Sequence, residues 1–424
     1  MKMNTTAIKH LISILGLVSI SLFASLTYAD QTMEQRLKSV TEQFEALRQE
    51  MNIPGMALVI VKDNEIILAE GFGFRDVEGK VPVTTDTNFA IGSTSKAFTA
   101  TLIGILNDDG KMSWDDKVTD YIEWYEPDLN EETGNLTFRD MLSHRSGLSR
   151  NDILWASGKV GREAILRESM DAKPLDKFRT KFNYNNVLFL ASGMASAQVA
   201  GEASWDSLLE TRLLKPLQMS NTTSLNDKAT NMALGYRWDD HEEVFEQLEK
   251  KNLDNISPAG GIHSNVIDMA QWLKFNLNKG TIDGKRLLSE EQFEEIWDPA
   301  ISISEGFGYG LGWFVRDWNS KTVIEHGGNI QGYAAQVALM PEENLGFVLL
   351  TNVSMTPLQQ GSMDVVFNAL LNDEQEVSES GSAEDFDRYI GRYVANFGPF
   401  KNTFFTVQEN NDGDLAIDVP GQTL

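Results

Sequence analysis

Ser93 and Lys96 stand three residues apart in the segment Phe89-Ala-Ile-Gly-Ser-Thr-Ser-Lys-Ala-Phe-Thr-Ala100. From about Ser93 to Asp108 the chain is apolar enough for a helix buried on most sides, and Gly110 can end it. Positions i and i+3 of a helix share a face, so the amine lies beside the hydroxyl. Ser93 falls at the helix start, where unpaired N–H groups favour developing negative charge. A lysine in such a helix is costly to keep charged, so it sheds its proton more easily or pairs locally. That is one way to turn a hydroxyl into a nucleophile. Taken alone, S-x-x-K is more often a serine cap followed by a solvent-facing lysine.

Two further segments carry reactive residue types. Phe182-Asn-Tyr-Asn-Asn-Val-Leu-Phe-Leu190 places Tyr184 and Asn186 just before an apolar helix, Val187 to Val199. A phenol can relay a proton when neighbouring cations lower its pKa, and Asn186 offers a donor and an acceptor to an amide or ester. The plainer reading is a buried tyrosine and an asparagine that caps the helix. Val323-Ile-Glu-His-Gly-Gly-Asn-Ile-Gln-Gly332 ends a strand in His326, Gly327 and Gly328. The glycines allow a substrate carbonyl to approach closely. The N–H of Asn329, just past them, could point with that of Ser93 at an oxyanion. A satisfied strand-end histidine and a turn would read the same way.

The elements that must hold these groups follow from the hydropathy pattern. Leu37, Val40, Phe44, Leu47 and Met51 form one helical stripe that should pack on a sheet. Met56–Val61 and Ile66–Ala69 around Lys62-Asp-Asn-Glu65 predict a β-hairpin. Strand-like runs return only in the last third, at 312–315, 322–325, 334–340 and 347–351, and the middle, about 94 to 295, is largely helical. This order predicts an α+β fold: one antiparallel sheet from both chain ends, flanked by helices, with an inserted helical subdomain and a cleft between. Residues 373–384, charged and Ser-rich, read as a linker. Runs at 389–394, 403–407 and 415–419 read as strands of a short, possibly incomplete, β module at 385–424.

Composition narrows the chemistry. The 424 residues contain 36 Lys+Arg against 62 Asp+Glu, a formal charge of -26, which disfavours nucleic acid and anionic lipid as partners. No cysteine is present, which excludes disulfides, thiolate metal sites and a cysteine nucleophile. After residue 29 only His144, His241, His263 and His326 remain, with no H-E-x-x-H pair, so no metal site is expected. Residues 1–29 open with Lys2 and Lys9, continue with an apolar run from Leu11 to Leu26 and end in Thr27-Tyr28-Ala29. This is the pattern of a secretory signal peptide cut after Ala29, with a periplasmic or secreted protein and no stable membrane insertion to follow.

The order of the three motifs, with Met141-Leu-Ser-His-Arg-Ser-Gly-Leu148, Pro258-Ala-Gly-Gly-Ile-His-Ser264, Phe307-Gly-Tyr-Gly-Leu-Gly-Trp313 and Pro341-Glu-Glu-Asn-Leu-Gly346, resembles the serine β-lactamase and penicillin-binding-protein superfamily. Within it the chain is similar to the branch of class C β-lactamases, D-aminopeptidases and related esterases, over about residues 35 to 370. The resemblance implies a serine hydrolase domain at 30–372 with no cofactor and a small-molecule or peptide substrate. It gives Ser93 the part of the acylated serine, Lys96 its partner, Tyr184 the general base or relay, and Asn186 the contact to the substrate amide; the catalytic set is completed by His326, which with Tyr184 is a candidate to orient the water that deacylates Ser93. His326-Gly327-Gly328 stands where true β-lactamases carry Lys-Thr/Ser-Gly, whose charge and hydroxyl grip the substrate carboxylate. That departure points away from efficient β-lactam hydrolysis and towards esters or D-amino-acid peptides, with a β-lactamase or a slow penicillin-binding sensor as the alternative. The resemblance assigns the His144 segment a structural turn and the tail a lipocalin-like module.

Overall fold

The computed structural model describes residues 32–239, 242 and 244–371, and three strands at 391–395, 403–409 and 415–418. The expected signal segment, the linker at 373–384 and His241 lie outside the described residues.

Helix α1 (Met33–Glu50) turns its stripe inward, with Val40 and Phe44 fully buried, and Thr41 donates to Glu70 of the first hairpin. That hairpin is β1 (Gly55–Lys62) and β2 (Glu65–Asp76). Asp63 and Asn64 close it with φ of 50° and 67°, the left-handed pair that a two-residue turn needs and that Asp and Asn tolerate. A short β3 (Val81–Pro82) follows on its edge. The remaining strands are β4 (Ile301–Ser304), β5 (Phe307–Tyr309), β6 (Phe314–Trp318), β7 (Lys321–Ile330), β8 (Tyr333–Met340) and β9 (Leu345–Thr351). They make one antiparallel sheet in the order β4-β5-β6-β7-β8-β9-β1-β2-β3. The two ends of the domain join where β1 pairs with β9, Met56 opposite Thr351 through Lys62 opposite Leu345.

Both faces of the sheet centre are covered, so its strands are apolar without alternation. Ala57, Val59, Val61, Val348 and Leu350 face the main core. On that side lie α2 (Ser95–Asp108), α3 (Asn186–Ala200) and α4 (Val266–Leu277). Twelve of the fourteen α2 residues are buried, as the sequence requires of a central helix, and Phe98 stacks on Trp272 of α4 with centroids 3.9 Å apart. The opposite face is covered by α5 (Leu358–Leu371), whose Phe367 meets Phe347 and Trp318.

The inserted segment is less purely helical than its sequence suggests. A hairpin, Tyr236–Asp239 with Val244–Gln247, lies within it. The inserted segment's His263–Ser264 also pairs with Phe89–Ala90, just before that segment, a contact between stretches far apart in sequence that no local pattern announces. By itself, the tail forms a three-stranded antiparallel sheet, β10 (Gly391–Ala395), β11 (Thr403–Glu409) and β12 (Leu415–Asp418). Among the described residues no helix is long and apolar enough to cross a membrane.

Candidate active site

Ser93 sits on a 3-10 turn, Gly92–Thr94, and α2 begins only at Ser95. The helix thus starts two residues later than its apolar pattern suggests, because Thr94 and Ser95 spend their hydroxyls on the turn. Thr94 Oγ1 donates to Ile91 O at 3.0 Å and Ser95 Oγ to Gly92 O at 2.7 Å. Of the three adjacent hydroxyls only that of Ser93 opens to a cavity. Gly92 makes the turn possible: its φ of +54° is left-handed, and a Cβ there would sit 3.0 Å from the Asn329 nitrogen.

Lys96 keeps the expected place beside Ser93, with Nζ 3.1 Å from Ser93 Oγ. The amine also donates to Ala259 O at 2.7 Å, and Thr99, one turn along, donates to Pro258 O at 2.7 Å. The Pro258-Ala-Gly-Gly segment therefore docks on α2 through carbonyls. Lys96 has 0% of its surface exposed. Burial, reinforced by the Arg150 guanidinium, holds its pKa well below the ordinary lysine value. A neutral amine has a lone pair for the Ser93 proton while an N–H stays on Ala259 O.

Tyr184 lies over this pair, with its ring centroid 4.7 Å from Lys96 Nζ. Asn185, not Asn186, caps α3, its Oδ1 accepting from Leu188 N at 3.2 Å, and Asn185 N donates to His144 Nδ1 at 3.0 Å. His144 is buried at φ +58°, and its ring lies 4.3 Å from that of Tyr184. The histidine of the expected structural turn thus fixes the tyrosine in place. Burial raises the Tyr184 phenol above its usual pKa, against the opposing pull of its hydrogen-bonding neighbour Ser93 and of Arg150. The phenol is a proton donor at rest, suited to relay rather than to initiate.

Beyond Glu325, β7 pairs with β8 alone, and its other edge meets the Ser93 turn. A Cβ on Gly328 would sit 2.0 Å from Ile91 O and 3.0 Å from Ser93 N. The nitrogens of Ser93 and Asn329 therefore line one seam, which only glycine permits. The Asn329 side chain is engaged on both ends, donating to Gln359 and accepting from Met355 N at 2.7 Å. His326 is 1% exposed. Its Nδ1 lies 2.7 Å from Gly327 O, an acceptor only, so the proton is on Nδ1. Its Nε2, 2.9 Å from Tyr309 Oη, accepts. Burial first and then Lys96 lower its pKa to about 3. Both ring nitrogens are thus engaged, and His326 ties Tyr309 to β7 beside the cavity at Ser93.

Asn186, the first residue of α3, donates from Nδ2 to Asp152 Oδ1 at 2.9 Å while lining a cavity beside Ser93. Asp152 also accepts from Trp155 Nε1 at 2.9 Å and pairs with Arg150, whose guanidinium carbon lies 4.8 Å from the Tyr184 ring centroid. Arg150, Asp152 and Trp155 lie in a segment whose sequence carries no repeat or periodicity that singles them out. Two recesses meet at Ser93: one of about 160 Å³ bounded by Trp155, Ile256 and Ile330, and a wider one bounded by Tyr184, Phe314 and His326. A larger cavity of about 680 Å³, between Ser204 and Thr230, holds none of these groups. Among the described residues no group of three or more His, Cys, Asp or Glu side chains could hold a metal ion.

Comparisons with known proteins bear on the family and the fold. The chain is 30% identical over 335 residues to the unguisins hydrolase of Aspergillus campestris, covering 72% of this chain and 59% of that one. It is 26% identical over 316 residues to protein flp of Staphylococcus aureus, covering 72% and 61%. The chain thus spans about three fifths of the length of the curated relatives it matches. Among solved structures it is similar in fold to the octameric penicillin-binding protein homologue from Pyrococcus abyssi, with a TM-score of 0.72 and 24% identity, covering 91% of this chain and 88% of that one. Residues 40–365 match the family described as Beta-lactamase, a span that holds the whole sheet and every group around Ser93, and the chain belongs to that family.

Proposed function

We propose that this protein is an exported serine hydrolase that cleaves an ester or amide through an acyl-enzyme on Ser93. The observation that carries this reading is a fully buried amine, its pKa held well below the ordinary lysine value, 3.1 Å from a hydroxyl that opens to a cavity. As Ser93 Oγ bonds to the carbonyl carbon, Lys96 Nζ takes its proton and the carbonyl electrons move to oxygen. The N–H groups of Ser93 and Asn329 hold that oxyanion, a contribution worth about a hundredfold in rate or more. The intermediate collapses, and the alcohol or amine leaves with a proton relayed from Lys96 through Tyr184. Water then attacks the acyl-enzyme by the reverse route, with Tyr184 and Lys96 as the proton acceptors, and frees the acid and Ser93.

Export rests on the charge and apolar pattern of residues 1–29. Support for hydrolysis comes also from the relative whose name is that of a hydrolase. Esters and amides are preferred to β-lactams because His326 is neutral and Gly327 has no hydroxyl, so neither grips a carboxylate. The test is turnover of a nitrophenyl ester, a D-alanyl peptide and a chromogenic cephalosporin by the wild type and Ser93→Ala. Ester or peptide turnover lost in the variant supports the reading. Equal rates in both proteins contradict it, and a stable wild-type adduct without product release replaces it with a sensor.

A further inference from the structure

The two recesses at Ser93 differ in which proton donors they reach. The wider one is bounded by Tyr184 and the narrower one is not. A departing alcohol or amine needs the Tyr184 proton, so it belongs in the wider recess, and the acyl group belongs in the narrower one. Arg150 lines both recesses, and the wider one adds no net charge to it: Arg316 donates to Glu325 Oε1 at 2.6 Å, and Gln336 donates to Oε2 at 2.8 Å. The narrower recess is different. Its walls are apolar, with Trp155, Leu253, Ile256 and Ile330, and its only charged lining residues are Arg150 and Lys251. Asp152 pairs with Arg150 but does not line the recess. Lys251 is exposed and makes no hydrogen bond or ion pair with any described residue. The adjoining recess adds Lys250, whose Nζ donates to Asn226 O at 3.1 Å.

Cations at one mouth stand out on a chain of formal charge -26, whose overall field repels anions. We infer that the narrower recess selects acyl groups with an apolar stem that ends in a carboxylate, with the stem against Trp155 and Ile330 and the anion at Lys251. This inference rests on the acyl-enzyme reading and names its substrate class.

The test compares two esters with one leaving group and one chain length, mono-4-nitrophenyl glutarate and 4-nitrophenyl pentanoate, hydrolysed by the full chain. The expected ratio of kcat/KM favours glutarate by about tenfold at low salt and falls as salt screens the contact. Lys251→Gln lowers that ratio by about tenfold, Lys251→Arg keeps it, and Lys251→Glu inverts it. A wild-type ratio below one, or a ratio that neither salt nor Lys251→Gln moves, overturns the inference and leaves the hydrolase standing. Turnover of neither ester removes the hydrolase reading and this inference with it.

Discussion

An amine with no exposed surface has two consequences of opposite sign. Buried Lys96 is poised to accept a proton, and it also makes folding harder, because the unfolded chain would carry the charge at neutral pH. Its folded pKa lies below the unfolded value of 10.5, so the native state binds fewer protons. Stability therefore rises with pH between the two values and is lowest below the folded one. Lys96→Met should raise the thermal midpoint at pH 7 and cut the rate of fluorophosphonate labelling by about a hundredfold or more. Melting curves and labelling kinetics on the same preparation check both. In the wild type, labelling should slow as the pH is lowered through the folded Lys96 pKa. At this scale the sequence is informative where chemistry fixes residue type and short spacing, as for Ser93 and Lys96. It is silent about Ala259, which contributes a carbonyl that every residue has, and about Arg150, whose effect on Lys96 and Tyr184 exists only once the chain is folded.

The decisive juxtaposition among elements is β7 against the turn that starts α2. Gly327 and Gly328 look alike in sequence and differ in place. A Cβ on Gly328 would strike the Ile91 carbonyl at 2.0 Å, whereas one on Gly327 would meet the Gln359 amide at 2.4 Å, the end of a side chain. Gly328→Ala should push β7 off the Ser93 turn and lower kcat by about a hundredfold, the usual loss for a displaced oxyanion donor. Gly327→Ala should cost far less, and steady-state kinetics of the pair read the difference directly. The sheet, its closure through β1 and β9, and the buried α2 are legible because apolar runs of strand and helix length leave few ways to cover one another. The hairpin at Tyr236–Asp239 and Val244–Gln247 is not, since it is short and interrupted by charge, and its Trp238–Phe245 pairing at 4.9 Å exists only once folded.

For the molecule as a whole, the cleft depends on one buried carboxylate. Asp140 accepts from Arg145 Nε at 2.7 Å, Arg179 Nη2 at 2.8 Å and Thr137 Oγ1 at 2.7 Å. It thereby clamps both ends of the segment that carries Arg150 and Asp152 and leads to Tyr184. Burial alone would raise its pKa; Arg179, Thr137 and Arg145 outweigh that and hold it below 3.8. This contribution is present above the unfolded value and lost as the pH falls through the folded one, so acid melting curves should steepen below about pH 4. Asp140→Asn should cost roughly 2–3 kcal/mol by denaturant melts, less than for a fully buried pair because Arg179 is half exposed. That an acidic chain builds a cleft with cations at its mouth is invisible in a net charge, which sums over the surface and discards position.

The convergence of Lys96, Tyr184 and the β7 edge on one oxygen is tested most directly by trapping the intermediate. Acid quench of an ester reaction within the first turnover, followed by peptide mass mapping, should find the acyl mass on the peptide containing Ser93, absent in Ser93→Ala. An acyl group mapped to any other residue, or found equally in the variant, would contradict it.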